Sequence, residues 1–371
     1  MSPIYVGTGT EDSEARNLTI GLPLLSTDPI NPQAGDYYYN TTDNNARYYD
    51  GTQWVRASGV DSLYSFTTYT FNEPDWGRDG TAWSTYQSRY SGEPFLTSGN
   101  LVQGQYTGFH KLTLPQTGTY EFEAAGAPGC KTVNNGYYGG KGIILKGRMT
   151  MNAGDIIQFA MGKSGESDQN GYNAGGGCGT FIVKDAFFTS SQSDGNIILV
   201  AGGGGGGAYN STYGLDATSS TTGVNGQGGS YYGTGGTNGN GGNGRGYSGS
   251  SGAAGPGAGI YTAPSNFTYQ GVASAPSAFG QGGQGARGYY VNHGSGSAGH
   301  QSGFGGAGAG GNHAGGSGGG YSGGGGGSGN GYSSGGGGSY TANLSSVSTV
   351  GWQGNGQVVK PAGGYVKITV V

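Results

Sequence analysis

The sequence predicts a mainly β protein in which a bundle of glycine helices is inserted into a framework of sheets. Three observations carry that expectation. Glycine makes up 89 of the 371 residues, without the Gly-X-Y period of collagen. Tyrosine, phenylalanine and tryptophan number 28, 12 and 4, and charged residues are 10%, whereas disordered chains are poor in aromatics and rich in charge. The longest glycine tract is followed by one short β-type run, GGYVKITVV. A lone strand has to pair, and its available partners are strands that precede the glycine.

Residues 1–59 have ordinary composition. GDYYYN and ARYYDGTQWVRA read as aromatic strands around the polar turn TTDNN, a hairpin or three-stranded meander. So few residues cannot build a large core, so this module is expected to draw stability from partners or from oligomerisation. Over 60–125, SLYSFTTYTF reads as a strand and TAWSTYQSRYSG as a short helix stopped by glycine. FHKLTLPQTGTYEFEAAG holds two strands around a PQTG turn, and TYEFEA alternates cleanly. Glycine dominates 126–371, yet GIILKGRMTMN (142–152), DIIQFAMG (155–162), TFIVKD (180–185) and NIILVAG (196–202) are strand-like.

The tracts AGGGGGGA (201–208), FGGAGAGG (304–311) and SGGGYSGGGGGSGNGYSSGGGGSY (317–340) resemble flexible linker. Sheet on both sides of them favours an insertion within one domain. Extended glycine adopts a left-handed three-residue helix of the polyproline type, the polyglycine II helix, with about 3.1 Å rise per residue. It has no internal hydrogen bonds, so every N–H and C=O must find a neighbour. Ordering glycine costs on the order of 1–2 kcal/mol per residue, which only a cooperative lattice of many runs offsets. After residue 185 the only acids are Asp194 and Asp216, so little charge draws the tracts into water.

The motifs YEFEAAGAPGCK, GGKGIILKGRMTMNAGDIIQFAMGKSGE, NAGGGCGTFIVKD, NIILVAGGGGGG, GGGYSGGGGGSG and GGYVKITVV follow one another in a fixed order. Over roughly 60–371 this series resembles the glycine-rich domain in the extracellular part of anaplastic lymphoma kinase and its close relative, and in many bacterial and phage proteins. The resemblance implies a β-sandwich (jelly-roll-like) framework carrying polyglycine II helices. Cys130 and Cys178 depart from it, each standing where that family usually has glycine. NPQAGDYYYNTTDNNARYYDGTQWV resembles a short module of bacteriophage virion proteins, especially fibre and tail proteins. Glycine-helix domains also occur at the tips of phage long tail fibres, where loops contact the host surface. Together these imply a phage fibre or receptor-binding protein. Its residues 1–59 would attach to other virion proteins, 60–125 would begin the sandwich, and 126–371 would form the glycine-rich tip. A homotrimer is expected as for other fibres, although no coiled-coil heptads specify one.

Composition excludes several classes. Net charge is −4, and beyond residue 185 the only basic residues are Arg245, Arg287, Lys360 and Lys367, too dispersed for nucleic acid. No apolar run is long enough for a membrane span. MSPIYVGTGTEDSEARN lacks the charged and apolar regions of a secretory signal. A displayed protein without a signal fits virion assembly in the cytoplasm and release by lysis. Cys130 and Cys178 make no disulfide framework; they are a disulfide pair, buried thiols or surface thiols, and cytoplasmic assembly favours free thiols.

No catalytic set is expected. GQGGQG from Gly280 matches a dinucleotide pattern by chance, because no strand-to-helix junction surrounds it. The GKS at 162–164 mimics a phosphate loop, but Ile157 stands where the first glycine belongs. His293, His300 and His313 share a glycine region without metal-ligand spacing, so neither metal nor cofactor is expected. Glu121 and Glu123 alternate with aromatics on one strand and read as its solvent face, and no carboxylate pair proposes a glycosidase.

The positive signal is the Tyr, Ser, Asn and Gly palette of 208–248 and 258–302. Antibody loops use the same palette, with rigid tyrosines and adaptable small polar residues. Tyr209, Tyr213, Tyr231, Tyr232, Tyr247, Tyr261, Tyr289 and Tyr290 are the candidate receptor contacts, stacking on a host cell-surface glycan or gripping an outer-membrane protein. The bland alternative is that they cover the edges of the glycine lattice. The rival functions are a head fibre or decoration protein, a cellular glycine-rich adhesin or filament subunit, and a hydrolytic tailspike.

Overall fold

A computed structural model of the chain describes residues 23–42, 45–49, 51–56, 63–64, 66–73, 75–133, 137–167, 174–209, 213–228, 232–244, 254–265, 272–288, 301–311, 314–328, 331–354 and 363–371. The chain is mainly β and divides into two compact units, Met1–Asp61 and Ser62–Val371.

In the first unit, β1 (Leu24–Leu25) pairs in parallel with β2 (Tyr37–Asn40), and β3 (Asn45–Tyr49) and β4 (Trp54–Arg56) complete a four-stranded sheet in sequence order. Strands β2, β3 and β4 form an antiparallel meander, and β1 is an addition that the sequence did not announce. Tyr38 is the large apolar side chain buried here, edge-on to Trp54 at 4.9 Å. Its hydroxyl donates to Asp28 and accepts from the Asn40 amide, and Arg47 pairs with the same Asp28 at 2.9 Å. Leu24 and Ile30 remain 70% and 89% exposed, so this unit leaves apolar surface uncovered.

The second unit contains β5 (Thr68–Asn72), α1 (Trp83–Arg89), α2 (Pro94–Thr97), β6 (Leu101–Gln103), β7 (Phe109–Thr113) and β8 (Gly118–Ala125). It continues with β9 (Gly142–Met151), β10 (Ile156–Ala160), β11 (Thr180–Lys184), α3 (Ala186–Thr189), β12 (Ile197–Ala201), β13 (Val272–Ser274), β14 (Arg287–Gly288), β15 (Ser345–Gln353) and β16 (Tyr365–Val370). Two five-stranded sheets dominate: an outer sheet, β15-β9-β8-β16-β5, and an inner sheet, β12-β11-β10-β7-β6. All their pairings are antiparallel. Strands β13 and β14 form a separate pair. The two strands flanking the PQTG turn do not pair with each other, because β7 enters the inner sheet and β8 the outer one.

Alternation decides the outer sheet. Tyr120, Phe122 and Ala124 point into the core, while Glu121 and Glu123 face the other way. Glu121 is clamped by Lys146 at 3.1 Å and Arg148 at 3.0 Å, and Glu123 accepts the Tyr365 hydroxyl at 2.7 Å. Phe71, Phe122, Ile143 and Ile368 of the outer sheet join Leu112, Ile157, Phe159 and Ile182 of the inner sheet in one hydrophobic core, with Tyr86 of α1 and Phe95 of α2 at its margin. The inner sheet is buried on its second face too, where Phe109, Phe181 and Val200 meet Ile260, Phe279, Phe304 and Tyr321 of the glycine region. That double burial is why β11 and β12 read as continuous apolar runs without alternation.

The glycine tracts are packed and hydrogen-bonded. Residues 202–208 are buried throughout. The amides of Gly203 and Gly206 donate to Gly319 and Gly316; those of Gly204 and Gly207 donate to Ala127 and Cys130; that of Gly205 donates to Leu215. Two of the three neighbouring segments are thus met again after three residues. A Cβ on Gly204 would lie 2.1 Å from the Gly140 oxygen, and one on Gly206 2.2 Å from the Ala174 oxygen, so the segments approach closer than any side chain allows. Some buried serines stand where a hydroxyl serves the backbone: the Ser317 hydroxyl lies 2.9 Å from the carbonyl oxygens of both Gly255 and Gly325 and shares its one proton between them. Cys130 and Cys178 are buried thiols that donate to the Gly165 and Gly303 carbonyls at 2.7 and 2.8 Å. Burial pushes the Cys178 thiol well above its ordinary pKa.

Candidate receptor-contact surface

The lattice fixes where tyrosines emerge. Tyr213 and Tyr232 are 56% and 40% exposed, and Tyr332 is 40% exposed. Each directly precedes a buried residue of a tract, Gly214, Gly233 and Ser333. Tyr138, half-buried, stands the same way before buried Gly139. A ring at such a position is carried by a backbone already tied down. The Gly214 amide donates to the Tyr138 oxygen at 2.8 Å, and the Gly233 amide to the Gly326 oxygen at 2.7 Å.

Tyr138 and Tyr213 come from segments far apart in sequence yet stack at 5.4 Å with 15° between their planes. Tyr137 stands edge-on to Tyr213 at 6.3 Å and 73°. Lys131 places its ammonium 5.7 Å from the Tyr138 ring centre. This cluster contains one of the tyrosines expected from sequence, Tyr213, and two that were not, Tyr137 and Tyr138. The usable signal was the Tyr-Gly step itself, which occurs at Tyr138, Tyr213 and Tyr232.

The other candidates separate. Tyr209 is half-buried after the 202–208 tract. Tyr261 is committed internally: its hydroxyl donates to Asp194 at 2.6 Å and its ring stacks on Phe187. Burial and the adjacent Asp194 raise its phenol above the ordinary range. Tyr213, Tyr232 and Tyr261 make no ring contact with one another. Tyr231, Tyr247, Tyr289 and Tyr290 lie outside the described residues, as do His293, His300 and His313.

The buried polar groups of the second unit act on one another. Glu73 accepts from the Thr81 hydroxyl at 3.0 Å, from the Asp75 amide at 3.1 Å and from the Tyr86 hydroxyl. Burial raises its pKa, an effect opposed chiefly by Lys163. Lys163 is itself lowered by burial, with Glu73, Asp75 and Asp79 opposing. The arrangement holds the 73–81 segment against α1. Among the described residues no group of three or more His, Cys, Asp or Glu side chains is placed to hold a metal ion. No described helix is long and apolar enough to cross a membrane. Compared with known proteins, the chain matches no family model and no curated sequence.

Proposed function

We propose that the chain is a bacteriophage fibre protein whose glycine-rich unit recognises a receptor on the host surface without covalent chemistry. The observation that carries this reading is the exposure of Tyr213 and Tyr232 directly before buried, hydrogen-bonded tracts. Rings held this way contact a partner with little further loss of conformational freedom. The six ordered motifs that resemble the glycine-rich domain support the same reading. So does the three-residue recurrence of hydrogen-bonding neighbours, which fits polyglycine II helices inserted into a β-sandwich. Residues 1–59 act in this reading as the attachment module to other virion proteins. The exposed Leu24 and Ile30 suit that role. A homotrimer would multiply weak contacts into avidity.

The test is adsorption of fluorescently labelled full-length protein to a panel of Gram-negative and Gram-positive strains, compared with a Tyr213→Ala, Tyr232→Ala double variant. Strain-specific, saturable adsorption that falls at least about tenfold in the variant is expected. Folded protein that adsorbs to no strain would point instead to a structural virion component such as a head fibre or decoration protein. Release of sugar from host polysaccharide would point to a tailspike hydrolase.

A further inference from the structure

We infer that Lys131, Tyr137, Tyr138 and Tyr213 form a binding site for an acidic glycan, with Tyr213 as the stacking platform and Lys131 as the group that reads the anion. The inference rests on the receptor-recognition reading and adds to it a ligand class and a location.

The rings are arranged as a stack with a wall. Tyr138 covers one face of Tyr213, while Tyr213 keeps 56% of its surface in solvent. Tyr137 stands at 73° to it. The flat C–H face of a pyranose lies against an aromatic face, and phenolic hydroxyls at the ring edge meet the sugar hydroxyls. The backbone that carries the three rings is hydrogen-bonded before any ligand arrives. The Thr132 amide donates to the Tyr137 oxygen, and the Tyr137 amide to the Thr132 hydroxyl, each at 3.0 Å. With the Gly214–Tyr138 hydrogen bond, these link all three tyrosines through backbone.

Charge selects among glycans. Lys131 makes no ion pair among the described residues and lies over the Tyr138 ring. Asp216, the nearest acid along the Tyr213 segment, turns a carboxylate oxygen to the Lys141 amide at 2.6 Å. A cation beside stacked tyrosines, on a region with very few charges, suits a sugar bearing a carboxylate or phosphate. Lys131 and Tyr213 both border the Tyr138 ring, so an oligosaccharide that stacks on Tyr213 and runs past the Tyr138 edge would meet the ammonium.

The experiment is binding of full-length protein to a printed array of neutral, uronate-bearing, sialylated and phosphorylated oligosaccharides. The wild type is run beside Tyr213→Ala, Tyr213→Phe and Lys131→Gln, each first shown to melt like the wild type. Acidic glycans are expected to be retained at least about tenfold better than neutral ones of equal length. Tyr213→Ala should lose that binding and Tyr213→Phe keep most of it. Lys131→Gln should bring the acidic-to-neutral ratio close to one. The carboxylated and phosphorylated spots identify which anion is read. Equal retention of neutral and acidic glycans, or variants that bind like the wild type, would overturn the inference. Adsorption to cells combined with a silent array would overturn it while leaving receptor recognition standing, with a protein as the receptor. Failure of both would remove the underlying reading as well.

Discussion

His110 lies on β7 with its ring parallel to that of Phe159, 4.8 Å and 5° away. Burial lowers its pKa from 6.5 to about 3. Between those values the unfolded chain binds the proton and the folded chain does not, so stability falls as pH drops from 6.5 toward 3. The loss is about 1.4 kcal/mol per pH unit inside that window and vanishes above it. His110→Phe preserves the stacking and removes the titration. Thermal melts between pH 7 and 4 should therefore show the wild type losing more stability than the variant. Parallel losses would exclude His110 as the responsive group. Glycine makes a second prediction at this scale. A Cβ on Gly204 meets the Gly140 oxygen at 2.1 Å, whereas one on Gly118 meets nothing within 4 Å. Gly204→Ala should cost about 3 kcal/mol or more, as over-packing does, and Gly118→Ala should be neutral. Equal melting temperatures for the two variants would refute a close-packed lattice.

The C-terminal strand β16 lies between β8 and β5, with Val366 opposite Ala124 and Phe71, and Ile368 opposite Phe122 and Tyr69. It carries Val366 and Ile368 into the core. Removal of residues 363–371 should leave β5 unpaired and abolish the cooperative melt of the second unit. Calorimetry of the truncated chain checks this, and a retained transition would mean that the strand is dispensable. The pairing of this strand was legible because an isolated apolar run has nowhere else to go. Strands β8 and β9 were legible because their alternation matches their burial, and β11 and β12 because their unbroken apolar runs match burial on both faces. Strand β15 was not. Its sequence, SSVSTVGWQ, is exposed over most of its length and shifts register twice against β9, so no buried face imposes a pattern. SLYSFTTYTF was only half legible, since β5 begins at Thr68, while Tyr64 and Phe66 are buried side chains ahead of it.

At the scale of the second unit, one core cluster joins residues of both five-stranded sheets, and a second joins the inner sheet to the glycine region. Composition foretold that the tracts would be buried, since they carry little charge. It could not foretell which segments would meet. The Tyr138–Tyr213 stack joins two Tyr-Gly steps through the lattice, and nothing local to either marks the other as its partner. Tyr261 shows the converse: a tyrosine in a loop-like stretch that is claimed by Asp194 and Phe187. The recurrence of neighbours along Gly203–Gly207 has one more consequence. A segment that greets the same neighbour every third residue has a reading frame. Inserting one or two glycines would re-aim every later amide at the wrong neighbour, whereas inserting three would restore the phase. Changes of length in the tract should therefore be tolerated only by threes.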